Sequence, residues 1–127
     1  MKIWSRGGLY YKKFTDTPFT GEISGTQHGK FIKGKKVGRW ILYYENGQLE
    51  SKFNIKNEKL EGLWESYHTN GKLNEKGNYK DGEREGIWEH YYPNGKLARI
   101  GNYEVGGRKF YLEWYDHDGK LLFKNDK

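Results

Sequence analysis

The chain has 127 residues, about one domain, and carries 23 Lys and Arg against 17 Asp and Glu, a formal net charge of +6. Only 34% of residues are hydrophobic and 31% are charged, a balance that leans towards disorder; the 17% of aromatic residues oppose it, because Trp, Tyr and Phe each bury on the order of 150–250 Å² and anchor a fold with few aliphatics. The absence of cysteine excludes disulfides, thiolate metal sites, a cysteine nucleophile and a lipidated N-terminal cysteine, and the opening MKIWSRGGLYYKK and the missing long apolar runs lead us to expect a soluble, cytoplasmic protein with no integral membrane segment.

In chain order, residues 1–29 read as a degenerate N-terminal cap, since LYYKKFTDTPFTGEISG carries only an echo of the pattern in residues 30–127 and end units of repeat arrays are usually atypical. Four units come next, 30–53, 54–77, 78–101 and 102–127, with an ungapped period of 24 residues. Gly47, Gly71, Gly95 and Gly119 share a column, preceded by Asn46, Asn70, Asn94 and Asp118 and followed by Leu49, Leu73, Leu97 and Leu121. Trp40, Trp64 and Trp88 form a second column that ends in Leu112. Tyr43, Tyr67, Tyr91 and Tyr115 form a third, and Gly38, Gly62 and Gly86 a fourth.

Each unit predicts a β-hairpin, because Asn-Gly between β-prone aromatic segments suits a two-residue type I′ turn. NEKLEG, DGEREG and VGGRKF are polar links that turn the chain back again. The expected fold is all-β: a single antiparallel β-meander of about four hairpin repeats plus an N-terminal capping segment, twisted and curled over an aromatic face. Pairing outward from Asn94-Gly95 sets Tyr92 opposite Leu97 and Trp88 opposite Gly101, and likewise Trp64 opposite Gly77 and Trp40 opposite Phe53. On this register a strand glycine makes room for the indole across from it, and Trp64→Ala is expected to cost about 3–5 kcal/mol through burial against Gly77. Alternation places Trp88, Tyr92, Leu97 and Tyr103 on one face and Glu89, Tyr91, Lys96 and Arg99 on the other.

The pattern Gly-x-Trp-x-x-Tyr-x-x-Asn-Gly-x-Leu, as in Gly62 to Leu73, resembles the bacterial MORN-repeat variant, the group that includes YwqK-type antitoxins. The resemblance covers about Phe31 to Lys124, with PFTGEI (Pro18 to Ile23) as a similar lead-in. Its fourth unit departs, with Phe110 for the glycine and Leu112 for the tryptophan. The resemblance implies a β-hairpin array that serves as a binding scaffold, with an antitoxin or immunity-like role in some members.

No catalytic, cofactor-binding or metal-binding residue is expected. His28, His68, His90 and His117 occupy different columns without metal spacing, and His68 stands where Tyr92 does, as a substitute for a packed ring. The column Glu65, Glu89 and Glu113 reads as a solvated face. Charge is more informative: the first 39 residues hold nine Lys and Arg against two acids, while residues 40–127 hold fourteen against fifteen. Two partner classes are implied. A protein partner would use Tyr43, Tyr67, Tyr91 and Tyr115 or an exposed sheet edge, since tyrosine adds rigid contact area at low entropic cost. A polyanion, nucleic acid or anionic phospholipid, would use Lys30, Lys33, Lys35, Lys36 and Arg39; the same lysines equally suit an edge strand protected from aggregation. Sheet edges could also pair copies of the chain into a homo-oligomer.

Overall fold

The computed structural model describes residues 3–12, 17–104 and 108–125, and no helix occurs among them. The strands are β1 (Ile3–Arg6), β2 (Leu9–Lys12), β3 (Gly21–Ile23), β4 (Gln27–Ile32), β5 (Lys35–Tyr43), β6 (Leu49–Lys56), β7 (Lys59–Leu60), β8 (Gly62–Tyr67), β9 (Leu73–Lys80), β10 (Glu83–Tyr91), β11 (Leu97–Glu104), β12 (Arg108–Tyr115) and β13 (Leu121–Lys124). β1 and β2 pair alone as a hairpin. The rest form one antiparallel meander running from β3 to β13 in chain order, with β7 beside β6. The expected all-β repeat meander is therefore the observed fold.

The two rows of turns differ from what the Asn-Gly dipeptides predict. Type I′ geometry occurs at the links: Lys33-Gly34, Asn57-Glu58 and Asp81-Gly82 all have positive φ at both central residues. At the Asn-Gly turns only the glycine is left-handed, with φ of 88–93° at Gly47, Gly71, Gly95 and Gly119. There Gly95 N donates to Tyr92 O at 2.8 Å and Tyr92 N to Lys96 O at 2.9 Å, a three-residue loop built on a type I turn. Its extra residue shifts the register, so Tyr91 rather than Tyr92 lies opposite Leu97, and a bulge at Ala98 restores the pairing of His90 with Arg99 and Trp88 with Gly101. The asparagine avoids positive φ because its side chain is already committed. Asn94 Oδ1 accepts from Lys96 N at 2.9 Å, while Nδ2 donates to His117 O of the next turn at 2.6 Å.

That second bond recurs along the sheet edge. Asn46 donates to Thr69 O and Asn70 to Pro93 O, at 3.0 and 2.8 Å. One column over, Tyr44 Oη donates to Tyr67 O, His68 Nε2–H to Tyr91 O and Tyr92 Oη to Tyr115 O, at 2.6, 2.8 and 2.7 Å. His68 thus replaces tyrosine as a hydrogen-bond donor. In the turn at 116–120 both columns hold aspartate; Asp116 Oδ1 instead accepts from Asp118 N and Lys120 N, so these side chains close their own turn.

The registers Trp40–Phe53, Trp64–Gly77 and Trp88–Gly101 are as predicted, but the glycine rule is not. Each indole leans away from its hairpin partner onto the preceding strand. A Cβ on Gly77 would lie 2.1 Å from Trp88 Cδ2, and one on Gly29 2.2 Å from Trp40 Cδ2, whereas one on Gly101 would approach nothing closer than 3.6 Å. The lean comes from a bulge in which Gly86-Ile87-Trp88 opposes Gly77 alone, with Gly86 at φ 70°; Gly38 and Gly62 do the same at φ 69° and 83°. Trp40 and Trp88 become fully buried, and their Nε1–H groups donate to Val37 O and Asn78 O at 3.2 and 3.1 Å. Trp64 meets Phe53 where its neighbours meet glycine, stacks on that ring at 5.3 Å, stays half-buried and leaves Nε1 without a partner. Its expected burial against Gly77 is corrected: Trp88 occupies that space.

At the N-terminal end, Tyr10 and Phe19 pack on the buried Phe31 at 5.0 and 5.6 Å, and Gly34 exchanges backbone bonds with Tyr10 and Phe19. These contacts tie β2 to the end of the sheet; of residues 1–29, expected as a cap, residues 1–2 and 13–16 lie outside the described residues. At the opposite edge, β13 leaves Leu121, Leu122 and Phe123 exposed.

Candidate functional site

The two faces of the sheet carry different chemistry, and register decides which residue goes where. On one face a single row crosses the sheet from strand to strand: Ile41, Lys52, Glu65, Lys76, Glu89, Ile100, Glu113 and Lys124. Alongside it runs the tyrosine column. Tyr67 and Tyr91 donate to Glu65 and Glu89 at 3.5 and 3.1 Å, and Tyr115 donates to Glu113. Burial, with the bond to Glu89, pushes the Tyr91 phenol up from its ordinary pKa; the bond to Glu113 does the same for Tyr115. Tyr43 differs, because Ile41 replaces the glutamate and the ring meets His28 edge-on at 5.3 Å. On the other side of the charged row Leu63 and Ile87 are 43% and 50% exposed. The structure therefore brings three of the four tyrosines into one repeated Tyr–Glu arrangement beside exposed aliphatics. The glutamates are not a purely solvated row, since they orient the phenols and Lys52 pairs with Glu65 at 3.8 Å.

The basic stretch 30–39 is divided between two depressions, one lined by Lys33, Lys35 and Lys36 with Glu58 and the other by Lys30 and Arg39. Lys35 pairs with Glu58 at 2.7 Å, and Lys36 Nζ sits over Trp40 and Tyr10, 4.9 and 5.3 Å from the ring centres. Lys33 occupies the turn, its N–H bonded to Thr20 Oγ1 at 2.7 Å. Lys30 and Arg39 line a shallow depression with Glu22 and His28 on the opposite side of β4 and β5 from Lys36.

The aromatic face carries a charged row that the sequence did not flag. Ser51, Ser66, Glu75, His90, Arg99, Trp114 and Phe123 are successive partners across it. Arg99 therefore lies on the Trp88 face, contrary to expectation; it has the same parity as Gly101 and Tyr103, which was the available signal. Arg84 bonds both oxygens of Glu75 at 2.9 and 3.1 Å, reaches Tyr103 Oη at 3.3 Å and covers Trp88, 4.1 Å from its ring centre. His90 Nδ1 lies 3.1 Å from Glu75, and its Nε2 is buried without a partner. Burial holds the His90 pKa below its ordinary value; Glu75 opposes that shift, and Arg99, Arg84 and Lys109 reinforce it. No group of three or more potential metal ligands occurs among the described residues, and no helix is long and apolar enough to cross a membrane.

A row of similar hairpins in a two-faced sheet, with side chains presented at a fixed spacing, defines a repeat module. The family model for the MORN repeat variant matches residues 36–57, 60–81 and 84–104, just over half of the chain, and the chain belongs to that family. MORN repeats are in general binding rather than catalytic modules. Beyond residue 104 the fourth unit, with its Phe110 and Leu112, lies outside the matched residues. No curated protein matches the chain.

Proposed function

We propose that the chain is a non-enzymatic scaffold that holds a protein partner on its tyrosine face. The carrying observation is the Tyr–Glu arrangement at Tyr67, Tyr91 and Tyr115: each phenol is anchored by a carboxylate two residues earlier on its own strand, so little side-chain freedom remains to be lost on binding. Exposed Leu63 and Ile87 supply an apolar margin opposite the tyrosines, and the Lys–Glu row between them is polar and of mixed sign. That mixed sign suits a protein surface better than a polyanion, which Glu65, Glu89 and Glu113 would repel. An antitoxin or immunity-like role, as in the YwqK-type group, is the version in which the bound protein is neutralised.

The test is capture of partners from the native host with the wild-type chain and with Tyr67→Ala/Tyr91→Ala, beside Lys30→Gln/Lys33→Gln. Loss of a specific protein only with the tyrosine pair is expected, by about 2 kcal/mol or more in affinity if these are hot spots. Undiminished recovery with the tyrosine pair contradicts the assignment.

A further inference from the structure

We propose that the C-terminal end of the aromatic face, at Arg99, Lys109, Tyr111 and Trp114, is a docking site for an acidic protein segment whose carboxylates it takes up. This surface lies on the opposite side of the sheet from the tyrosine column and goes beyond the scaffold role of that column. The internal repeat supplies the template. Where the third unit meets the second, Arg84 stands opposite Tyr79, and Glu75 of the second unit stands opposite His90 with its carboxylate held by Arg84 and His90. Where the fourth unit meets the third, Lys109 stands opposite Tyr103 as Arg84 does opposite Tyr79, but the glutamate's place in the column is taken by Arg99. The cation of the clamp is kept and the carboxylate is replaced by a second cation.

Among the described residues nothing substitutes for it, and neither Arg99 nor Lys109 forms an ion pair. Lys109 is exposed, as is Trp114, at 39%. Lys109 Nζ lies 4.7 and 5.3 Å from the ring centres of Tyr111 and Tyr103, and the Arg99 guanidinium 5.8 and 5.9 Å from those of Tyr111 and Trp114. The positive field is felt locally, since the bond to Lys109, with Arg99 nearby, holds the Tyr111 phenol below its ordinary pKa. Because the cations already lie over Tyr103 and Tyr111, these rings offer little open surface for a stacked nucleobase. Arg99 Nε is buried without a partner, and a guanidinium beside an ammonium suits carboxylates, which Glu75 shows this face accepts.

Fluorescence anisotropy with a labelled poly-Glu peptide, run beside a single-stranded oligonucleotide and vesicles of anionic phospholipid, tests the assignment. The peptide should bind at low salt and weaken as salt rises. Lys109→Glu, an exposed change expected to leave the melting transition in place, should weaken it about tenfold or more, and Arg99→Gln similarly, whereas Lys30→Gln/Lys33→Gln should not. Absence of peptide binding at low salt, equal loss from the Lys30/Lys33 pair, or tighter binding of the oligonucleotide or the vesicles overturns the proposal.

Discussion

The seam between the second and third units and the seam between the third and fourth serve opposite ends. At the first, Trp88 lies over Gly77, Arg84 covers the indole and Glu75 neutralises Arg84 while meeting His90. At the second, Leu112 replaces the tryptophan, Gly101 has space above it, and Arg99 and Lys109 stand without a carboxylate. The bulge shrinks too: Gly86-Ile87-Trp88 opposes a single residue, whereas β12 carries one extra residue between Tyr111 and Glu113. Losing the glycine and the tryptophan together is coherent, because the left-handed glycine makes the bulge that tips the indole over. A sealed seam stabilises the sheet, and an unsealed one leaves cations and rings open to a ligand.

Breaking the sealed seam should give the largest effect. Trp88→Ala should cost about 3–5 kcal/mol, read by chemical denaturation, since a fully buried indole is lost. Trp64→Ala should cost clearly less, because that ring is half-buried and its Nε1 is unpartnered. Gly77→Ala should cost about 1–3 kcal/mol or more by overpacking against the indole, while Gly101→Ala, at the open seam with the fourth unit, should stay below about 1 kcal/mol. Equal costs at the two glycines would erase the distinction between the seams.

Smaller effects sharpen the comparison. Asn70→Ala removes the bond to Pro93 O and the acceptor for Lys72 N, and should cost about 1 kcal/mol on this exposed edge; Asp118→Ala, past the ladder's end, should cost less. The pH dependence isolates the sealed cluster. His90 titrates lower in the folded chain than in the unfolded one, so folding favours its neutral form. Its contribution is complete above the ordinary histidine value of about 6.5 and is lost as pH falls from there towards the folded value. Over that window His90→Gln should flatten the decline in melting temperature relative to wild type, and an unchanged slope would remove His90 from the account.

Much of the fold is legible in the sequence because a 24-residue period repeats local chemistry four times. It fixes the hairpins and the tryptophan registers. What it hides depends on one-residue effects. Asn-Gly fits a type I′ turn equally well until Asn94 is seen to bond His117 O in the next unit, which is a property of the stack and not of the hairpin. Gly77 opposite Trp64 looks like a paired cavity until the bulge tips Trp88 across from the next strand. The tyrosine column is visible as a column, and its glutamate partners two residues earlier are visible too. The Arg84–Glu75–His90 cluster is not, because its members come from two strands joined by a link whose bulge breaks simple alternation.

The claim that function resides on the tyrosine face is tested most directly by placing a photo-crosslinking phenylalanine analogue at Tyr91, with a second chain carrying it at Ile32 as an exposed control. Irradiation in host extract should give one discrete protein adduct from position 91 and none of that mass from position 32. The same adduct from both positions, or from position 32 alone, would contradict the account.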